Sequence, residues 1–225
     1  MSQFRYERKF LIENLFKEEV GLIIKKNPYL FKKKYQQRFV NNIYFDSLDY
    51  SLYNNHVIGK SDRYKIRVRW YDDLFGEIKK PILEIKSKNN YLGKKEYCNL
   101  DKFHLDQTTQ LNDLVKIFNY SNFPEKIKIL NVRPVLINRY LRDYFESSDR
   151  KFRVTLDTNL FYYSASFKER LFTKVYNDKN IIIVELKYAP NADLNANKLT
   201  NYFPFRKTKS SKYIRGIQMT RRVIF

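Results

Sequence analysis

The stretch Ser61 to Trp70, SDRYKIRVRW, sets Lys65, Arg67 and Arg69 at alternate positions with Ile66, Val68 and Trp70. A strand turns successive side chains to opposite faces, so this segment predicts three cations on one face and three apolar groups on the other. Neighbouring cations on one strand face sit about 7 Å apart and repel unless water or an anion screens them. The face therefore either lies open to solvent, a frequent use of charge alternation on a sheet, or holds something strongly negative. Repetition in other strands decides between the two.

The pattern recurs along the chain. Gln3 to Ile12 predicts a first strand with Arg5, Glu7 and Lys9 opposite Tyr6, Arg8 and Phe10. Pro81 to Lys88, PILEIKSK, puts Glu84, Lys86 and Lys88 on one face and Leu83 and Ile85 on the other, and Gly93 to Leu100 can return beside it. Arg133 to Phe145 is ambiguous on pattern alone, but Pro134 and β-branched neighbours favour a strand on which Tyr140 and Arg142 share a face. Arg153, Thr155 and Asp157 alternate in RVTLD, and Glu185 and Lys187 share a face of NIIIVELKY. Residues 170 to 177 are expected to pair with that run as a hairpin. Helices are expected after Asn14 as cap, with Val20, Ile23 and Ile24 inward; after Asp46 or Ser47, carrying Tyr50, Leu52 and Tyr53; over Leu105 to Phe118; and over Asn195 to Phe203.

The 225 residues include only 5 Gly and 6 Pro and show no linker, low-complexity tract or repeat, so one domain over 1–225 is expected. Lys plus Arg number 44 against 24 Asp plus Glu, and the resulting +20 attracts polyanions: nucleic acid, polyphosphate, nucleotides or an anionic membrane. No apolar run has secretory or membrane-spanning length, which gives the expectation of a soluble cytoplasmic chain. The single Cys98 excludes an internal disulfide and reads as a buried structural thiol. His56 and His104 lack companions at ligand spacing, and read as packing or hydrogen-bonding residues rather than metal ligands. There is no glycine-rich phosphate loop and no Ser-His-Asp set.

Six expected strands thus carry Glu7/Lys9, Arg67/Arg69, Glu84/Lys86, Tyr140/Arg142, Arg153/Asp157 and Glu185/Lys187. A merely wet face would mix in Ser, Thr, Asn and Gln, whereas these groups bind phosphate or divalent metal. Arg offers a bidentate fork to phosphate oxygens and Lys a compact point charge. The geometry that uses such strands is an α+β fold in which a closed antiparallel β-barrel with a charged lumen is flanked by helices. Carboxylates among the cations suggest a divalent ion held by one or two carboxylates plus phosphate and water. A basic sheet face gripping nucleic acid is the alternative, but it gives no reason for three strand-borne glutamates.

RYERKF, NIYFD, KIRVRWY, LEIKSK, YLRDYF, RVTLD, VELKY and SKYIRG occur in an order that resembles the VTC domain, the catalytic domain of the vacuolar transporter chaperone polyphosphate polymerase, within the triphosphate tunnel metalloenzymes. The resemblance implies that Lys9, Arg67, Arg69, Lys86, Arg142, Arg153 and Lys212 contact phosphates. Tyr140, Ser211 and Lys187 would add substrate contacts, and Glu185, with Glu7, would bind Mn²⁺ or Mg²⁺. The implied reaction passes the terminal phosphate of ATP to a growing polyphosphate chain. Other tunnel enzymes begin Glu-x-Glu-x-Lys where this chain has Arg5-x-Glu7-x-Lys9, which makes a two-metal hydrolase less fitting. The attached phosphate-sensing domain and membrane segment of the eukaryotic polymerases are not read here, so translocation is expected to need a membrane-protein partner. No nucleic acid partner is expected. A triphosphatase or polyphosphatase in the same tunnel, or a sensor of polyphosphate or nucleotide without turnover, remain the alternative readings.

Overall fold

Side-chain alternation sorts the central strands as the sequence requires: Ile66, Val68 and Trp70 are buried, while Lys65, Arg67 and Arg69 are half-buried on the other face. The computed structural model describes residues 5–89, 92–119, 131–165, 172 and 175–221. Its strands are β1 (Tyr6–Ile12), β2 (Lys32–Asp46), β3 (Arg63–Tyr71), β4 (Gly76–Ile78), β5 (Ile82–Asn89), β6 (Leu92–Asn99), β7 (Phe103–Leu105), β8 (Arg133–Glu146), β9 (Phe152–Ser164), β10 (Val175–Asp178) and β11 (Ile182–Tyr188). The helices are α1 (Lys17–Lys26), α2 (Ser51–Val57), α3 (Leu111–Asn119), α4 (Asp193–Thr200) and α5 (Lys212–Arg221).

Among the described residues the main sheet runs β1-β11-β9-β8-β2-β3-β5-β6, with β10 added on β9, and β4 and β7 form a separate pair. The sheet is β-rich and antiparallel in its registered pairs, with helices beside it, and this ladder has two ends, at β1 and β6. The expected hairpin between residues 170–177 and β11 does not form in the described part: β10 pairs with β9, and β11 inserts between β1 and β9. Burial explains the choice, because Ile182, Val184 and Leu186 are fully covered when β11 has a neighbour on both sides.

The chain divides into two compact units. One comprises 1–39, 140–160 and 178–210. Its core gathers Phe10, Ile12, Val154, Leu156, Val184 and Leu186 from the sheet against Val20 and Ile24 of α1 and Ala196 and Leu199 of α4. Helix α1 starts later than Asn14 suggests: Phe16 takes the cap position, and its N–H donates to the Glu19 carboxylate at 2.6 Å. The other unit comprises 40–139, 161–177 and 211–225. There Ile43, Phe45, Ile66, Val68, Trp70, Leu83 and Ile85 pack with Leu52 of α2 and with Leu111 and Leu114 of α3. Cys98 is half-buried against this core, less enclosed than expected. In the first unit the apolar face carries α1 and α4, and in the second α2 and α3, whereas Tyr213 of α5 stacks on Tyr44, whose hydroxyl meets Arg67 on the alternate, charged face.

Candidate anion-binding site

In the first unit the antiparallel register sets charges in a checkerboard: Glu7 opposite Lys187, and Lys9 opposite Glu185. Lys9 Nζ lies 3.0 Å from Glu7 Oε1 and 3.3 Å from Glu185 Oε1, and donates to the Ser210 carbonyl at 3.2 Å. Burial alone would lower the Lys9 pKa, but the Glu185 and Glu7 carboxylates outweigh it and hold the ammonium charged. Glu185 also meets Lys187 Nζ at 3.1 Å and Arg142 Nη2 at 3.7 Å through Oε2. Arg142 is buried and forks onto Asp157, Nε to Oδ1 at 2.5 Å and Nη2 to Oδ2 at 2.6 Å, with its guanidinium 5.1 Å from the Tyr140 ring centroid. Burial opposes the Arg142 charge and Asp157 more than restores it. Glu7, Lys9, Tyr140, Arg142, Glu185 and Lys187 are thus brought together. Arg153 is not: exposed, it donates to Glu146 Oε1 at 3.3 Å instead of joining Glu185.

Two carboxylates converging on one ammonium are the donor set that Mg²⁺ or Mn²⁺ uses when phosphate and water complete its shell. Glu7 and Glu185 fit that open mode. Among the described residues no group of three or more His, Cys, Asp or Glu offers a closed protein cage.

In the second unit Glu84 sits opposite Arg67 and is shared by two arginines. Arg67 Nε and Nη2 reach Glu84 Oε2 at 2.8 and 2.6 Å, and Arg69 Nη1 reaches Oε1 at 3.0 Å. Burial raises the Glu84 pKa, but Arg67 and Arg69 pull it below the ordinary value. The arginines are braced from β2 as well, Arg67 by the Tyr44 hydroxyl at 3.3 Å and Arg69 by Asn42 Oδ1 at 3.2 Å. Asn42 in turn donates to Asn138 Oδ1 at 2.9 Å. Both asparagines are fully buried, and Asn138 Nδ2 has no protein partner.

Lys65, Lys86 and Lys95 stand directly opposite one another across β3, β5 and β6. Like charges so placed are destabilising, and an anion relieves them. Lys65 donates to Ser211 Oγ at 2.8 Å, just before α5, where Lys212 is buried at the first turn. Beside this row His56 bonds the Tyr64 carbonyl at 3.0 Å, and burial, followed by the charge of Lys65, pushes its pKa down to about 4. It is a hydrogen-bonding histidine, as expected, while His104 is exposed beside Asp106. Lys65, Lys95, Asn42 and Asn138 have no site role in the sequence reading, while Glu84 and Asp157 enter it only as members of the charged strand pairs. Their positions on the charged face follow from parity once the register is known, and only Lys65, Glu84 and Asp157 showed that parity within a visible alternation.

A model of the VTC domain family matches residues 4–221. The chain belongs to the VTC domain family. No curated protein matches it. Solved structures share its fold. A candidate adenylate cyclase from Vibrio parahaemolyticus aligns at a TM-score of 0.53 and 12% identity, covering 96% of this VTC domain and 99% of that chain. HpAC1 from Hippeastrum, a candidate adenylyl cyclase with a dominant triphosphatase activity, aligns at 0.54 and 12% identity, covering 96% and 97%. A candidate adenylate cyclase from Bacillus halodurans gives 0.54 and 12% over 95% and 96%. At this identity the likeness is one of fold, the fold of the triphosphate tunnel proteins. No helix among the described residues is long and apolar enough to cross a membrane.

Proposed function

We propose that this VTC domain is a metal-dependent polyphosphate polymerase working on its charged strand faces, with ATP and inorganic polyphosphate as substrates. The observation that carries the reading is the pair Glu7 and Glu185 converging on Lys9 within a field of Lys and Arg. A nucleic-acid face has no use for carboxylates there, whereas phosphoryl transfer needs both charge neutralisation and a divalent ion. Glu7 and Glu185 would hold Mn²⁺ or Mg²⁺, which when bound polarises phosphoryl oxygens.

The chain's own groups do the rest. Arg67 and Arg69, fixed by Glu84, Tyr44 and Asn42, present their positive charge and remaining guanidinium N–H groups to phosphate oxygens. Lys86, Lys212 and Ser211 add contacts, and Arg142, fixed by Asp157, presents a guanidinium to the same anion class. Transfer forms a bond from a terminal polyphosphate oxygen to the γ-phosphorus of ATP and breaks the bond to the β,γ-bridging oxygen, releasing ADP. Holding both reactants in line and neutralising the equatorial oxygens supplies most of the acceleration. Exposed Arg5, in the position where tunnel hydrolases have their first Glu, supports one metal rather than two.

Water in place of the acceptor would give a triphosphatase, a reading favoured by the fold shared with HpAC1. The two separate on products. Purified protein with ATP and Mn²⁺, with and without a short polyphosphate primer, is expected to yield long polyphosphate with matching ADP. Free phosphate instead would establish the hydrolase, and neither product would point to a sensor or to a required membrane partner. Glu185→Gln is expected to shift the metal titration, and an unchanged curve would remove its assigned role.

A further inference from the structure

The charged face of the first unit does not stop at Glu185. Lys187 stands directly opposite Arg153, and Arg153 turns to Glu146, which also accepts from Lys34 Nζ at 2.5 Å. Arg142, Tyr144 and Glu146 alternate along β8 and so share a face. Arg38 Nε donates to the Tyr144 hydroxyl at 3.1 Å and its guanidinium lies 5.2 Å from that ring, which Tyr35 meets edge-on at 5.6 Å. The face opens to solvent along this path: the side chains of Arg142 and Glu185 are 9% exposed, those of Lys34 and Arg153 39% and 56%.

We propose that Lys34, Arg38 and Arg153 form a second subsite that holds the extended part of a polyphosphate chain, beyond the phosphates near Lys9 and Arg142. This rests on polyphosphate being the substrate. Arg142 and Glu146 are four residue steps apart on β8, a rise of about 13 Å, more than the phosphates of one nucleotide span. Only a longer anion could engage both clusters. Glu146 balances one of the two cations it holds, Lys34 and Arg153, so this group keeps net positive charge. Arg38 and Tyr35 occupy the Tyr144 ring, which leaves less aromatic face for stacked bases and favours a backbone without bases over single-stranded RNA.

The test compares affinities of wild type and Lys34→Ala/Arg38→Ala for long-chain polyphosphate, tripolyphosphate and single-stranded RNA, by calorimetry across a salt series. Lys34→Gln/Arg38→Gln serves as a milder second variant, and circular dichroism checks its fold. Expected is a loss of about tenfold for the long chain, with a salt slope smaller by about one to two, and unchanged tripolyphosphate affinity. Wild type binding the long chain no more tightly than tripolyphosphate, or equal losses for both ligands, would overturn the subsite. RNA bound as tightly as the long chain and weakened alike would replace it with a nucleic-acid surface. Wild type binding neither phosphate ligand would bring down the substrate reading itself.

Discussion

Asp46 is fully buried, and its carboxylate is the node on which the basic C-terminal segment of the second unit depends. Oδ1 accepts the N–H groups of Ser47 and Leu52 at 2.8 and 2.9 Å, and Oδ2 accepts Tyr53 N–H at 2.8 Å and the Tyr213 hydroxyl. Burial and the Asp46 charge both push the Tyr213 pKa up, so the phenol stays a donor. Tyr213→Phe removes that donor while leaving the cap of α2 in place. Its expected cost is about 1.5–3 kcal/mol, the range for a hydrogen bond to a charged group, read as a lower urea midpoint. Tripolyphosphate affinity should fall with it, because Lys212 is the next residue; an unmoved midpoint and affinity would show that Tyr213 anchors nothing. His56 makes a second prediction. Its pKa is about 4 in the fold against about 6.5 unfolded. Between those values the unfolded chain binds the extra proton, so stability declines as pH falls through that window. Urea midpoints at pH 7 and pH 5 should differ less in His56→Gln than in wild type. Equal differences would assign the acid sensitivity elsewhere.

At the scale of elements, helix α5 lies against the sheet through Gly216. A Cβ there would stand 2.5 Å from Leu136 Cδ2 and 2.6 Å from Tyr162 Cδ1, both on fully buried side chains with little room to yield. Gly216→Ala gains about 1 kcal/mol of helix propensity but overpacks a closed contact at about 1–3 kcal/mol. A net loss of stability is expected, together with weaker tripolyphosphate binding as the first turn carrying Lys212 shifts. A stabilised variant with full binding would mean that the close approach is not needed. Neither contact was legible in the sequence, where SKYIRG shows a basic segment but not what its glycine faces. Strands β3 and β5 were legible because their alternation is strict. β10 was not, since which neighbour a short strand takes depends on burial of β11, a tertiary fact. Arg153 shows the same limit: parity gives its face, but its partner Glu146 lies on β8, and no spacing along the chain encodes that pairing.

Across the whole molecule, charge is what sets this chain apart from an ordinary folded protein. It carries +20, and its described cations are concentrated in part on sheet faces where like charges meet, as in the row of Lys65, Lys86 and Lys95. Such a protein is held back from its full stability by its own repulsion, and an anion that binds the folded faces but not the unfolded chain should raise the melting temperature. At a hundredfold excess over its dissociation constant the ligand adds about 2.7 kcal/mol, which for a chain of this size corresponds to a rise of about 5–10 °C. Tripolyphosphate is the ligand to use, since it lacks a nucleoside and isolates the phosphate contacts. The rise should shrink steeply as sodium chloride is increased, because each phosphate contact competes with screening ions. Sodium chloride alone, matched in ionic strength, separates specific binding from general screening. If it reproduces the whole rise, the alternating cations are a solvated surface; if tripolyphosphate exceeds it and Arg67→Ala removes the excess, the strand pattern is a phosphate site.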